Sequence, residues 1–211
     1  HAVIPLGVEP RHAERRRRLL DTSSPLRLVV AGRQIKIKGT DHVLRAMRQA
    51  IDRGAKLELN VMGDGDDLPE FRTLATELKL DTFVRFSGTV PYGTPLFDTW
   101  ADAHVMVITN LTAEISRNVL LAMARGLPLI LYANPGTDEL LRSSQAGSLV
   151  PTSSIEALSD ALERAAGNRS NLADMASSGL AFARQNTLDA THRRRAELTN
   201  SLMTEPASRP C

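Results

Sequence analysis

Short apolar runs alternate with segments of helical periodicity between residues 26 and 166, and this alternation limits the folds open to the chain. The runs are rich in Leu and β-branched residues and show little polar alternation, as strands buried on both faces do. Joints that contain Gly or Pro separate the runs from the helical segments, which is typical of βαβ units in a parallel sheet. We expect six strands, at Leu26–Ala31, Leu57–Met62, Val84–Ser87, Val105–Thr109, Leu129–Tyr132 and Ser148–Val150.

The segments between these runs carry apolar residues at three- and four-residue spacing. Such stripes predict amphipathic helices that pack one face against the sheet. The sequence therefore predicts an α/β fold, namely a Rossmann-like doubly wound parallel sheet with helices on both faces. The stripes are Val43, Leu44, Met47 and Ile51; Phe71, Leu74 and Leu78; Leu96, Phe97 and Trp100; and Ile155, Leu158 and Leu162.

Composition and charge exclude several classes of protein. The 211 residues carry a formal net charge of +2, which is too small to indicate a nucleic-acid-binding protein. The single cysteine, Cys211, leaves no disulfide framework and no Cys-based zinc site, so a reducing cytosol is the expected compartment. No apolar run approaches the roughly 18–20 residues of a membrane span. The chain begins His-Ala-Val-Ile-Pro, unlike a signal peptide, and we expect it to be cut from a longer protein.

The two ends differ in composition from the alternating body and suggest the domain limits. We expect an entry segment with a basic helix at 1–24, the sheet domain at 25–167, and two further helices at 168–203 that pack on the same domain. A break near Gln185 to Thr187 separates those two helices, and 204–211 is an expected disordered tail. The arginine runs at 15–18 and 193–195 are interpreted as solvated helix faces, with contact to an anionic membrane surface as the alternative.

The loop after the first strand concentrates positive charge between two glycines. It runs from Gly32 through Arg33 and Lys38 to Gly39, with Thr40 or Asp41 as the expected cap of the next helix. Arginine offers a planar fork of donors and lysine a point charge, so together they suit a diphosphate. A solvated loop that merely tolerates basic residues is the alternative. The spacing of a P-loop is absent.

The loop after the fourth strand ends where a strongly apolar helix begins. Ligands of open parallel sheets bind beyond the carboxyl ends of the strands, and a helix N-terminus there favours anions and hydroxyls. Glu114 is either a contact to such a ligand or a surface carboxylate near a helix start, and both interpretations stay open. His104 is interpreted as a core residue, and no histidine shows metal-ligand spacing. The polar residues of this loop are Glu114, Ser116, Arg117 and Asn118.

Several short motifs follow one another in an order that resembles a known family. The set is similar to the C-terminal donor-binding domain of the GT-B glycosyltransferases, specifically the large group 1 family (glycosyltransferase family 4). The resemblance covers nearly the whole chain and depends on the order of the pieces. They are Val3 to Val8; Gly32-Arg33 with Lys38-Gly39; Gly63-Asp64-Gly65; Val84 to Gly88; Ala101-Asp102-Ala103; Ala122 to Pro128; and Ala146 to Pro151.

The resemblance implies a nucleotide-sugar donor and assigns roles to particular residues. Arg33 and Lys38 would neutralise the donor diphosphate and stabilise the departing nucleoside diphosphate, which requires no metal and no cofactor. With Glu114 as a candidate sugar contact, these are the expected catalytic residues of a retaining enzyme that transfers a hexose-type sugar to a glycan or lipid-linked acceptor. The expected donor-binding residues are Gly32, Gly39, Thr89, Val90, Ser116, Arg117, Asn118 and Val119; the Thr89–Val90 stretch would lie against the base and 116–119 would face sugar and phosphate.

The sequence departs from the family pattern in two ways. The family has two Glu eight positions apart, where this chain has Ala113 and Leu121, so either Glu114 substitutes or the site lacks the usual hydrogen bond to the sugar. Leu6 also replaces the common Asn of the entry segment. The resemblance also implies an acceptor-binding N-terminal domain, which we expect to lie outside this sequence, and positioning between two domains supplies much of the rate. The alternatives are a non-catalytic binding or scaffold module and, less compatible with Arg33, a phosphoacceptor receiver domain.

Overall fold

The computed structural model describes residues 23–204, so the predictions for 1–22 and for the tail at 205–211 lie outside the described residues. Within that range the chain forms one six-stranded sheet in which every paired neighbour is parallel. The strands are β1 (Leu26–Ala31), β2 (Leu57–Met62), β3 (Val84–Gly88), β4 (Val105–Ile108), β5 (Leu129–Tyr132) and β6 (Gly147–Val150).

Eight α-helices connect or follow these strands in the described part of the chain. A short 3₁₀ turn, Lys36–Lys38, precedes the first of them. None of the described helices is long and apolar enough to cross a membrane. The helices are α1 (Thr40–Asp52), α2 (Leu68–Glu77), α3 (Thr94–Ala101), α4 (Arg117–Met123), α5 (Pro135–Ser144), α6 (Ile155–Gly167), α7 (Arg169–Gln185) and α8 (Leu188–Thr204).

The strand order is β3-β2-β1-β4-β5-β6, which confirms the predicted doubly wound fold. The chain fills one half of the sheet from β1 outward and then returns to β4 on the other side of β1. The helices that follow the neighbouring strands β1 and β4 therefore run in different directions, and a crevice opens between the ends of these two strands at the carboxyl edge of the sheet.

The two faces of the sheet carry separate cores. Because side chains alternate along a strand, Leu28 and Val30 of β1 join one core while Val29 joins the other. The first core includes α1, α2 and α6, and the second includes α3, α4 and α5. The predicted helical stripe of α1 is buried at Val43, Leu44 and Met47, as the periodicity indicated.

Some predicted boundaries differ from the structure, and each difference has a local cause. Strand β4 ends at Ile108 because the next residue, Thr109, turns to the loop after β1 and hydrogen-bonds there. The expected capping of α1 by Thr40 or Asp41 is wrong: Gly39 is the N-cap, and Thr40 instead donates to Gln34. The break between α7 and α8 lies at 186–187, as predicted.

Candidate functional site

The loops after β1 and β4 are joined to each other at the crevice by three contacts. The backbone N–H of Leu111 donates to the carbonyl of Ile37 at 2.8 Å. The Thr109 hydroxyl lies 2.9 Å from the carbonyl oxygens of both Lys38 and Gly39. Gly39 has a φ of +68°, and a Cβ there would overlap the carbonyl oxygen of Thr109. The carboxyl ends of the two strands therefore form one connected surface.

The structure separates the three cations of the first loop. Lys36 lies 3.1 Å from Glu70 of α2, and this hydrogen bond, followed by the charge of Glu70, raises the pKa of Lys36. Lys38 Nζ instead lies 3.4 Å from Glu114 Oε2, with the Lys38 side chain 26% exposed and that of Glu114 70% exposed. The side chain of Arg33 is exposed and forms no hydrogen bond or ion pair with any residue of 23–204. Arg33 is therefore free to bind an anion.

The start of α4 lies directly beside the end of β1. Ser116 is its N-cap and accepts from the backbone N–H of Asn118 at 3.3 Å. The Asn118 side chain donates to the carbonyl of Ala31 at 2.7 Å, while Arg117 points to solvent. The side chain of Val119 is fully buried in the second core, so only its backbone is available to the crevice.

The predicted base-binding stretch lies at the same sheet edge but further out. Thr89 and Val90 follow β3, two strands away from β1. Thr89 is exposed, and Val90 packs partly against the second core. A 2.7 Å hydrogen bond from the Gly63 N–H to the Gly88 carbonyl joins the ends of β2 and β3. No described hydrogen bond links Thr89 or Val90 with the loop at 32–39 that carries Arg33 and Lys38, which we call the cation loop.

Sequence reasoning missed the residue that organises the cation loop. Gln34 is only 1% exposed although it follows the exposed Arg33. Its side-chain nitrogen donates to the carbonyls of Gly32 at 2.9 Å and Met62 at 3.0 Å, and its oxygen accepts from Thr40 at 2.8 Å. A glutamine among charged residues gives no sign of burial, so no sequence signal could have singled it out.

A second polar group lies at the carboxyl end of β5. His42 Nδ1 is 2.9 Å from the Tyr132 hydroxyl, and His42 Nε2 is 3.9 Å from an Asp41 oxygen. Burial, and secondly the charge of Asp41, raises the pKa of Tyr132 to about 12. The phenol therefore keeps its proton at neutral pH, and its hydrogen bond with His42 joins the end of β5 to the start of α1.

The two positions where the family pattern has Glu carry no carboxylate here. Leu121 is half-buried and packs against the second core, so it is part of the fold and not of the crevice. Ala113 is exposed. Among the described residues of the loop after β4, Glu114 alone has a carboxylate in contact with a cation of the crevice, namely Lys38.

His104 is buried and hydrogen-bonded, as expected of a core histidine. It lies immediately before β4 and is only 2% exposed. Its Nδ1 accepts from the Arg27 backbone N–H at 3.0 Å and lies 2.9 Å from Arg169 of α7. This cluster is at the amino edge of the sheet, away from the crevice.

Comparison with known proteins gives one family. The family model described as "Glycosyl transferases group 1" matches residues 25–168. An exopolysaccharide phosphotransferase of Streptomyces coelicolor is 29% identical over 147 residues, which are 69% of this chain and 15% of that protein. The putative colanic acid biosynthesis glycosyltransferase WcaL of Escherichia coli is 26% identical over 146 residues, which are 66% of this chain and 36% of WcaL. The chain thus spans much less than the length of either relative.

Solved structures share the fold. Anabaena HepE in complex with UDP and glucose superimposes with a TM-score of 0.79 at 20% identity, over 95% of this chain and 56% of that one. The family model covers most of the described sheet, and its range includes both loops of the crevice. The chain therefore belongs to the group 1 glycosyl transferases.

Proposed function

We propose that this chain is the nucleotide-sugar-binding part of a retaining glycosyltransferase that transfers a hexose-type sugar to a glycan or lipid-linked acceptor. The observation that carries the proposal is the joined crevice, where the half-buried Lys38 contacts Glu114 and the loop that carries Lys38 also carries the exposed, unpaired side chain of Arg33. HepE, which shares the fold, is known in complex with UDP and glucose. WcaL, a relative in sequence, is named for colanic acid biosynthesis.

The cations supply the chemistry that glycosyl transfer requires. The bond between the anomeric carbon and the donor diphosphate breaks, and the acceptor hydroxyl oxygen forms the new bond on the same face while its proton passes to the released diphosphate. Negative charge develops on that diphosphate in the transition state. Arg33 and Lys38 would stabilise it through charge-assisted hydrogen bonds, so the proposed reaction needs no metal or other cofactor.

The remaining donor contacts come from backbone and small polar groups around the crevice. Loop glycines allow close approach of a phosphate, and the start of α4 presents the amides that would face sugar and phosphate. The stretch after β3 would lie against the base. The proposed donor-binding residues are Gly32, Gly39, Thr89, Val90, Ser116, Arg117, Asn118 and Val119.

Glu114 has a double role in this proposal. Its carboxylate can accept hydrogen bonds from sugar hydroxyls, which the side chains of Leu121 and Ala113 cannot do. It also neutralises Lys38 before the donor binds. Donor binding would therefore exchange the carboxylate for a diphosphate oxygen at Lys38 and release Glu114 towards the sugar.

The partial coverage of the related proteins suggests which partners this chain requires. The chain covers 36% of WcaL and 56% of HepE, so we propose that an acceptor-binding N-terminal domain completes the enzyme. Helix α8 exposes Arg193 and Arg195, which suits peripheral contact with the inner face of a membrane in a cytoplasmic protein.

A second candidate function is a binding or scaffold module that retains the fold without the transfer chemistry. The observation that favours it is the side chain of Leu121, which packs on the second core where the family pattern has a carboxylate. Such a module would bind a nucleotide sugar without releasing the nucleoside diphosphate.

Turnover distinguishes the two candidates. In the full-length protein, Arg33→Ala should lower sugar transfer by about two orders of magnitude, as expected for a lost stabiliser of transition-state charge. Arg45→Ala is the matched control, because Arg45 is an exposed cation of α1 outside the crevice. Transfer that is equal in the two variants would contradict the proposed role of Arg33, whereas donor binding without any transfer by the unmodified protein would contradict the enzyme assignment and support the module.

A further inference from the structure

We propose that Gln34 is a positioning residue that holds Arg33 in the orientation needed to bind the donor diphosphate. The inference rests on the proposed function and adds a residue that the resemblance does not assign. Gln34 would not touch the donor, since its side chain is enclosed by protein and only 1% exposed.

Both hydrogen-bond donors of the Gln34 side chain are satisfied within the protein. A glutamine amide has two N–H donors, and these reach the carbonyl oxygens of Gly32 and Met62. The side-chain oxygen accepts from the Thr40 hydroxyl, which is itself fully buried. One side chain thus joins the end of β1, the end of β2 and the first residue of α1.

The backbone of Gln34 is fixed as well. Its N–H donates to the carbonyl of Asp64 at 2.9 Å, and its carbonyl accepts from the N–H of Asp67 at 3.2 Å. On the other side of Arg33, the Gly32 N–H donates to the Met62 carbonyl at 3.1 Å. Arg33 therefore lies between two residues that are each hydrogen-bonded to β2 or to the loop after it.

The anchoring matters because no described residue holds the side chain of Arg33. Its guanidinium is exposed and without a described partner, so the direction of its side chain depends on the backbone that carries it. A flexible arginine loses conformational entropy on binding, and a fixed backbone reduces that loss. Gln34 would thus raise affinity through Arg33 alone.

A double-mutant cycle tests this dependence. UDP is titrated calorimetrically into the protein and into Gln34→Leu, Arg33→Ala and the double variant. Gln34→Leu keeps the approximate volume and removes all three side-chain hydrogen bonds. Because the effects of coupled residues are not additive, Gln34→Leu should weaken UDP binding about fivefold to tenfold with Arg33 present and less than about twofold in the Arg33→Ala background.

Two controls separate positioning from general damage. Gln49→Leu makes the same exchange at an exposed site of α1 and should leave affinity unchanged. Thr40→Val removes only the hydrogen bond to the Gln34 oxygen and serves if Gln34→Leu fails to fold; its smaller effect on UDP should also disappear in the Arg33→Ala background.

The outcomes distinguish the inference from the proposed function. If Arg33→Ala leaves UDP affinity unchanged, or the unmodified protein does not bind UDP, GDP or ADP, the proposed donor site is wrong. If Arg33→Ala weakens binding but the effects of Gln34→Leu and Thr40→Val persist undiminished in that background, the positioning role is wrong while the donor site stands. Disappearance of both effects in that background supports the inference.

Discussion

The side-chain amide of Asn118 donates a 2.7 Å hydrogen bond to the carbonyl of Ala31, and so joins the first turn of α4 to the last residue of β1. The two elements belong to opposite halves of the sheet, and their junction is the point where the strand order reverses. Together with the contacts of Thr109 and Leu111, this hydrogen bond holds the loop after β4 against the loop after β1.

Asn118→Asp should therefore impair both stability and nucleotide binding. A carboxylate cannot donate to the Ala31 carbonyl, and its charge would face a carbonyl oxygen and the incoming diphosphate. The free energy of unfolding should fall by about 1–3 kcal/mol, the usual cost of an unsatisfied buried partner. Chemical denaturation measures this decrease. Asn171→Asp, on the exposed surface of α7, is the control and should change neither quantity.

Glu114→Gln should have opposite effects on binding and on transfer. Removing the carboxylate charge frees Lys38 for a diphosphate, and exposed ion pairs contribute about 0.2–1 kcal/mol, so affinity for a nucleoside diphosphate should rise by up to about fivefold. Transfer from the complete nucleotide sugar should fall because the sugar then lacks a strong acceptor. Titration and turnover measure the two effects, and a decrease in diphosphate affinity would contradict the proposed exchange at Lys38.

The glycine at the end of β2 is required for the close approach of two loops. Gly63 has a φ of +109°, and a Cβ there would overlap the carbonyl oxygen of Gly32. Gly63→Ala should lower the free energy of unfolding by more than about 3 kcal/mol through combined strain and overlap. Gly54, with a φ of +97° and no atom within 4 Å of an added Cβ, isolates the strain. Gly54→Ala should lower the free energy of unfolding by only about 1–2 kcal/mol. Thermal or chemical unfolding measures both variants, and equal decreases in the two would show that the overlap at Gly63 adds nothing to the backbone strain.

The raised pKa of Tyr132 predicts that the folded protein loses stability at alkaline pH. Its pKa is raised from 10.0 to about 12 by burial, so the folded protein retains a proton that the unfolded chain releases above pH 10. The stabilisation is complete below pH 10 and is lost as pH rises towards 12, with a full size of roughly 2–3 kcal/mol. Unfolding titrations of the protein and of Tyr132→Phe should show a constant difference in the free energy of unfolding below pH 10. Between pH 10 and about 12 the unmodified protein should lose stability relative to Tyr132→Phe, and profiles that stay parallel through this range would show that the phenol does not titrate as stated.

The fold could be predicted from the sequence because its signals are local. Each apolar run predicted a strand to within one residue at either end, and the stripe through Val43 and Met47 predicted α1. The convergence of Lys38 and Glu114 also followed, since loops at the carboxyl ends of parallel strands meet at one edge.

The supporting contacts of the crevice could not be predicted, because they join residues far apart in the sequence. Gln34 bonds to Met62, 28 positions away, and Asn118 bonds to Ala31, 87 positions away. Thr40 had a local interpretation as a helix cap, yet the buried acceptor on Gln34 takes its hydroxyl instead. Local propensity gives way here to partners that only the folded chain brings together.

The most direct test of the central claim is calorimetric titration of the protein with UDP, GDP and ADP, repeated with Arg33→Ala and Arg45→Ala. We predict saturable binding of one of the three nucleotides, weakened about tenfold or more by Arg33→Ala, as for the removal of charge-assisted hydrogen bonds. Arg45→Ala should bind like the unmodified protein. Absence of binding to all three, or equal binding by the two variants, would contradict the assignment of this crevice as a donor site.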